Sequence, residues 1–154
     1  MNVLDIMTHN PITIRVDKKL RDALELMEAS GVKHLPVLSR HQHLVGVLSD
    51  RDCRHALNSP FTERVYWQNE ILDALDVRTV MTPAPIIAES DISALEATRL
   101  MLSNNIGCLP VMRGETLIGI VTRTDLLIAF MNMHRQYEKY HLPPPPNNHN
   151  GHQT

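Results

Sequence analysis

The chain has 154 residues, 43% hydrophobic and 21% charged, with fifteen Lys and Arg against seventeen Asp and Glu for a net charge of −2. This composition belongs to a globular protein and excludes fibrous and collagen-like chains; at this length about two-thirds of the unfolded surface can be buried without disulfides or metals. No basic stretch is dense enough for a phosphate backbone, so nucleic acid is not an expected partner. The start, MNVLDIMTHNP, lacks the features of a leader and no apolar run reaches membrane-spanning length, which together point to a cytoplasmic protein.

Taken in chain order, Ile12, Ile14 and Val16 alternate with Thr13 and Arg15, the period-two pattern of a half-buried strand. Asp17 is the expected cap of a helix whose apolar face is Leu20, Ala23, Leu24 and Met27, with Gly31 as its left-handed stop. Leu35 to Leu38 and Leu44 to Leu48 read as strands joined by the polar turn 39–43, and a helix is expected from near Asp50. An insert follows from Asn58 to Asp76. Ser59-Pro60 is its expected helix start, Trp67 is the one tryptophan, and Val65, Ile71, Leu72 and Leu75 form an apolar face expected to cover the core. The second half repeats the order: a strand near Ile86, a helix capped by Asp91 with Ala94, Ala97, Thr98 and Met101 inward, strands at Leu109 to Met112 and Leu117 to Val121, and a helix from near Thr124. The end, HLPPPPNNHNGHQT, has nothing to bury and is expected to be disordered.

The two halves are a duplication. Met7 to Asp52 aligns with Met81 to Asp125 with one deletion in a turn, and fourteen of 45 positions are identical, where ordinary composition gives about three by chance. The identities cluster at Met-Thr (7–8, 81–82), Pro-Ile (11–12, 85–86), Leu-Met (26–27, 100–101), Leu-Pro-Val (35–37, 109–111), Gly46 with Gly119 and Asp52 with Asp125. Each unit reads β-α-β-β-α and, at about 50 residues, is too small to bury both faces of a sheet alone. The expected organisation is repeat one at 1–57, a helical linker at 58–76, repeat two with a long last helix at 77–140, and a tail at 141–154. Cys53 and Cys108 form no CxxC and are expected as reduced, buried thiols.

In both repeats a strand ends in Gly-(apolar)₂-Ser/Thr-x-x-Asp: Gly46-Val-Leu-Ser49-Asp-Arg-Asp52 and Gly119-Ile-Val-Thr122-Arg-Thr-Asp125. Two readings fit. Ser49 and Thr122 cap helices while Asp52 and Asp125 face the dipole; or the free N–H groups attract phosphate and each Asp accepts the two hydroxyls of a ribose.

Met-Thr-x-x-Pro, (apolar)-x-x-Leu-Pro-Val and Gly-(apolar)₂-Ser/Thr-x-x-Asp, in that order and twice over, resemble the tandem CBS (cystathionine β-synthase) domain pair, or Bateman module, over residues 1 to about 131. Ser49-Asp-Arg-Asp52, the insert with Ile71-Leu72 and Asn105-Ile-Gly-Cys-Leu-Pro110 resemble its acetoin-utilisation branch. The resemblance implies an α+β fold of two βαββα repeats packed through their sheets about a pseudo-twofold axis. It also implies a regulatory, non-catalytic module that binds AMP, ADP, ATP or S-adenosylmethionine between the repeats. Carried over residue by residue, one site combines Thr122 and Asp125 with Thr8, Ile12, Thr13, Lys33 and His34. The other combines Ser49 and Asp52 with Thr82, Ile86, Ile87, Gly107 and Cys108.

Lys33 and His34 offer charge where repeat two has only Gly107 and Cys108, and Arg51 and Arg123 stand where they could add to either site; phosphate is expected near Lys33, His34 and Arg123, and the Cys108 side is expected to be the poorer or empty site. His41 and His43 have no third ligand near in sequence, and no metal is expected. No orienting acid accompanies a Cys108–His34 pair, which argues against an enzyme. The resemblance implies a homodimer through helices, and Leu126, Leu127, Phe130, Met133 and Tyr137 are the apolar stripe that suits it. The alternative function is a ligand-free dimerising adaptor in which both Asp motifs only cap helices.

Overall fold

The computed structural model describes residues 1–58 and 65–141. Repeat one comprises β2 (Ile14–Arg15), α2 (Leu20–Ser30), β3 (His34–Leu38), β4 (Leu44–Ser49) and α3 (Asp50–Leu57), preceded by α1 (Val3–Ile6) and β1 (Thr8–His9). The linker carries α4 (Val65–Ala74). Repeat two follows with α5 (Val77–Val80), β5 (Thr82–Pro83), β6 (Ala88–Glu89), α6 (Ala94–Asn104), β7 (Cys108–Arg113), β8 (Thr116–Thr122) and α7 (Arg123–His141). Both units are the expected βαββα.

The sheets are not assembled repeat by repeat. Their strand orders are β2-β3-β4-β5 and β1-β8-β7-β6, so the Met-Thr segment of each half supplies an edge strand to the other half's sheet. Thr8 and His9 pair antiparallel with Ile120 and Gly119, and Thr82 and Pro83 pair with Val47 and Gly46. Sequence periodicity is blind to this exchange because a two-residue strand has no period. The glycines explain how the crossing segment fits: a Cβ on Gly119 would overlap Met7 Sδ, and one on Gly46 would overlap Met81 Sδ and stand 2.9 Å from the Thr82 carbonyl oxygen.

Each sheet has its own core beneath its helices. Leu20, Ala23, Met27, Leu35, Val37, Leu48, Cys53 and Val77 fill the first, and Val3, Ala97, Met101, Leu109, Val111 and Val121 the second. A smaller cluster of Val47, Cys108 and Ile120 joins the two sheets. Leu72 and Leu75 of the linker pack on the first core, as expected of a cover. The expected start at Ser59-Pro60 and the side chains of Val65 and Trp67 lie outside the described residues, as does the tail from 142.

Two expected caps are corrected. Asp17 is held by Arg15, whose Nε and Nη2 donate to its carboxylate at 3.0 and 2.6 Å, and Lys19 is the N-cap of α2, its N–H donating to Asp22 Oδ2 at 2.9 Å. In repeat two Ser93, not Asp91, caps α6, accepting from the Glu96 N–H at 3.1 Å. In both halves a short turn separates strand from helix, so the cap falls two residues later than the acid. The first strand is also shorter than its alternation suggests: Ile14 and Val16 are buried, whereas Ile12 and Ile86 are 39% and 37% exposed and β6 begins two residues after Ile86.

The Met–Gly contacts generate a prediction. Gly119→Ala meets only the flexible Met7 side chain, whereas Gly46→Ala also meets backbone. Overpacking of this kind costs about 1–3 kcal/mol. Urea unfolding is expected to show Gly46→Ala as the more damaging of the two, and Met7→Ala is expected to relieve Gly119→Ala while Met81→Ala leaves part of the Gly46→Ala loss in place.

Candidate functional site

The outer ends of the central strands converge at the junction of the two sheets. In repeat one His34 is paired with Ser49, and in repeat two Cys108 with Thr122, so the Ser/Thr of each motif stands beside the residue preceding Leu-Pro-Val. The exchanged strands bring Thr8 beside Ile120 and Thr82 beside Val47. The result is one continuous open cleft of about 1560 Å³ lined by both motifs.

Of the residues assigned from sequence, Thr8, Ile12, Lys33, His34, Thr122, Arg123 and Asp125 line this cleft together with Ser49, Arg51, Asp52, Thr82, Ile86, Gly107 and Cys108. Thr13 and Ile87 do not. They are the next residues after Ile12 and Ile86, and in extended chain neighbours face opposite ways. Thr13 lines a smaller depression with Asn10, His41 and His43 instead. Among the described residues no three His, Cys, Asp or Glu are grouped to hold a metal.

Both Asp motifs are reciprocal caps. The Ser49 N–H donates to Asp52 Oδ2 at 2.8 Å and the Asp52 N–H donates to Ser49 Oγ at 3.0 Å. At the other junction the Thr122 N–H and Oγ1 donate to Asp125 Oδ2 at 2.7 and 2.8 Å, and the Asp125 N–H donates back at 3.3 Å. One carboxylate oxygen of each Asp is thus committed to structure, which fixes where the other one points. Capping and ligand binding are compatible, not competing, uses of the motif.

The cleft is asymmetric at its centre. The His34 ring packs on Gly107 of the opposite repeat, where an added Cβ would stand 3.2 Å from Nε2, so the bare glycine makes room for the imidazole. Burial, then Arg123 and Lys33, pull the His34 pKa below its ordinary value, while Asp52 and Asp50 oppose them. Arg123 reaches back with Nε to the Ile106 carbonyl at 3.2 Å, which braces its guanidinium at the same seam. Burial pushes both thiols, Cys53 and Cys108, up to about 12, so neither is a nucleophile at neutral pH.

The CBS domain family model matches residues 3–59 and 77–132. The chain therefore belongs to the CBS domain family and carries the domain twice, as a tandem pair, the regulatory Bateman arrangement. It is 37% identical over 127 residues to a CBS domain-containing protein of Dictyostelium discoideum, spanning 81% of this chain and 88% of that one. Three solved structures share the fold. One is a Vibrio cholerae protein described as an acetoin utilization protein (AcuB), at 28% identity and TM-score 0.73, covering 90% of this chain and 96% of that one. The CBS pair of protein MJ0100 with 5′-methylthioadenosine and S-adenosyl-L-methionine gives 25% and 0.75, covering 86% and 98%. CBSX2 with AMP, a protein of Arabidopsis thaliana, gives 32% and 0.70, covering 87% and 98%. No helix among the described residues is long and apolar enough to cross a membrane.

Two outcomes are expected. A thiol reagent at pH 8 should titrate neither cysteine in the native protein and both after unfolding; fast native labelling of Cys108 would contradict its burial. For His34 the folded pKa lies below the unfolded value near 6.5, so the folded state binds fewer protons. Its contribution to stability is complete above 6.5, declines below it and is lost as pH falls through the lower folded-state pKa. The urea midpoint of His34→Gln should therefore decline less between pH 7 and 5 than that of the parent protein.

Proposed function

We propose that the chain is a cytoplasmic regulatory module that binds an adenosyl ligand, AMP, ADP, ATP or S-adenosylmethionine, between its repeats and signals through contact with a second copy or a regulated protein. The observation that carries this reading is the divided use of Asp52 and Asp125. Each caps a helix through Oδ2 and leaves Oδ1 to accept ribose hydroxyls in the shared cleft. Adenosyl ligands bound to the CBS pairs of MJ0100 and CBSX2 support it.

The ligand's phosphate belongs on the Lys33, His34 and Arg123 side. Three cationic or donor groups meet there, beside a helix N-terminus that already favours anions. The Cys108 side, which sets a neutral thiol and Gly107 opposite Ser49 and Asp52, is the poorer or empty site. The competing adaptor reading draws on the same caps, which account for both motifs without a ligand.

A thermal-unfolding screen separates the two. Ligand at a hundred times its dissociation constant adds about 2.7 kcal/mol, a shift of roughly 5–10 °C for a chain of this size. Asp125→Asn retains an oxygen for the cap but presents an amide donor to the ribose, so it should keep the unliganded midpoint and lose the shift. A screen in which no adenosyl ligand moves the midpoint favours the adaptor. At pH 7.5 His34→Gln and Lys33→Gln should each weaken AMP more than adenosine in calorimetry, and equal loss for both ligands would move the phosphate away from this side.

A further inference from the structure

The duplication aligns Lys33 with Gly107 and His34 with Cys108, yet the two halves of the cleft are filled differently at these positions. In repeat one the cleft wall carries the Lys33 side chain. In repeat two the wall is bare at Gly107, and the space beside it is taken from across the seam: His34 Nε2 stands 3.2 Å, and its Cε1 3.7 Å, from where a Gly107 Cβ would lie. That wall is fixed. The Gly107 carbonyl accepts from the Arg123 N–H at 3.1 Å, and the Ile106 carbonyl accepts from Arg123 Nε at 3.2 Å. On its other side the imidazole meets the first motif, because β3 and β4 pair His34 with Ser49 and the charge that acts on the ring most strongly is Asp52. The Cys108 thiol makes no matching move toward Lys33. It is 7% exposed and packs with Val47 and Ile120.

We infer that the His34 ring occupies the second adenosyl half-site, between Asp52 and the bare wall at Gly107, and so sets the capacity of the cleft at one ligand. A ligand whose ribose rests on Asp52 has to lie along Gly107 and Cys108, and the imidazole stands on that path. The half-site is latent: Asp52 spends only Oδ2 on its cap, and Thr82 and Ile86 still line the wall around it. This rests on the adenosyl reading of the cleft and gives the inequality of its halves a steric cause. A shortage of cations weakens the binding of a phosphate and leaves an uncharged nucleoside unaffected, whereas a side chain filling the pocket turns both away.

Adenosine, which carries no phosphate, therefore separates the two causes. In equilibrium dialysis of the full chain against radiolabelled adenosine, the parent protein should saturate at one equivalent per chain. His34→Ala, or His34→Ser where alanine disturbs β3, should saturate at two with an unchanged circular dichroism spectrum, and adding Asp52→Asn should remove the second equivalent. Two equivalents in the parent protein would overturn the inference, since the ring would then exclude nothing, and so would a single equivalent in a folded His34 variant. Binding of neither adenosine nor AMP by any of these proteins would defeat the adenosyl reading itself, and this inference with it.

Discussion

The contact of a methionine with a bare glycine, made twice, is the constraint on which this fold rests. Met7 lies on Gly119 and Met81 on Gly46, and a side chain at either glycine would force the methionine of the crossing segment aside, at Gly46 against backbone as well. That crossing supplies the fourth strand of each sheet. Neither βαββα unit is complete alone, and the two cores are joined through backbone hydrogen bonds as well as through Val47, Cys108 and Ile120. The same crossing delivers Thr8 and Thr82 to the rim of the cleft, so the device that fuses the repeats also furnishes the site between them.

In the proposed reading of the site, structure and recognition draw on one side chain. A carboxylate has two oxygens with about four acceptor positions, and a reciprocal cap uses only part of that capacity. At Ser49–Asp52 and Thr122–Asp125 the helix N-terminus orients the carboxylate, and a rigid carboxylate recognises a diol better than a mobile one because less entropy is lost on binding. The departure from twofold symmetry then falls where charge matters most: an imidazole, a lysine and an arginine gather on one side of the seam and a buried thiol and a glycine on the other.

Much of this was legible in the residues. The strands Leu35 to Leu38 and Leu44 to Leu48, the stop at Gly31 and the helix starts after Ser49 and Thr122 lie where composition and duplication put them, because strong local signals there agree with tertiary packing. Asp17 and Asp91 misled because an acid near a helix start resembles a cap whichever partner it takes, and Asp17 takes Arg15. Alternation extended β2 through Ile12, but that residue is apolar in order to line the cleft, not to fill the core. The strand exchange and the His34–Gly107 contact are relations between segments far apart in sequence, and no single-segment pattern encodes them.

The exchanged strands also bear on synthesis from the N-terminus. β1 emerges before its partner, β8, which lies more than a hundred residues later, while the sheet of repeat one must wait for Thr82 and Pro83 before its edge is closed. On a ribosome the first repeat therefore remains open-edged until the second has begun, and Thr8 and His9 wait longest for their partner strand. Exposed sheet edges are templates for wrong pairing, so the nascent first repeat is the stage of this protein's life most exposed to misassembly and the one at which a chaperone has most to protect.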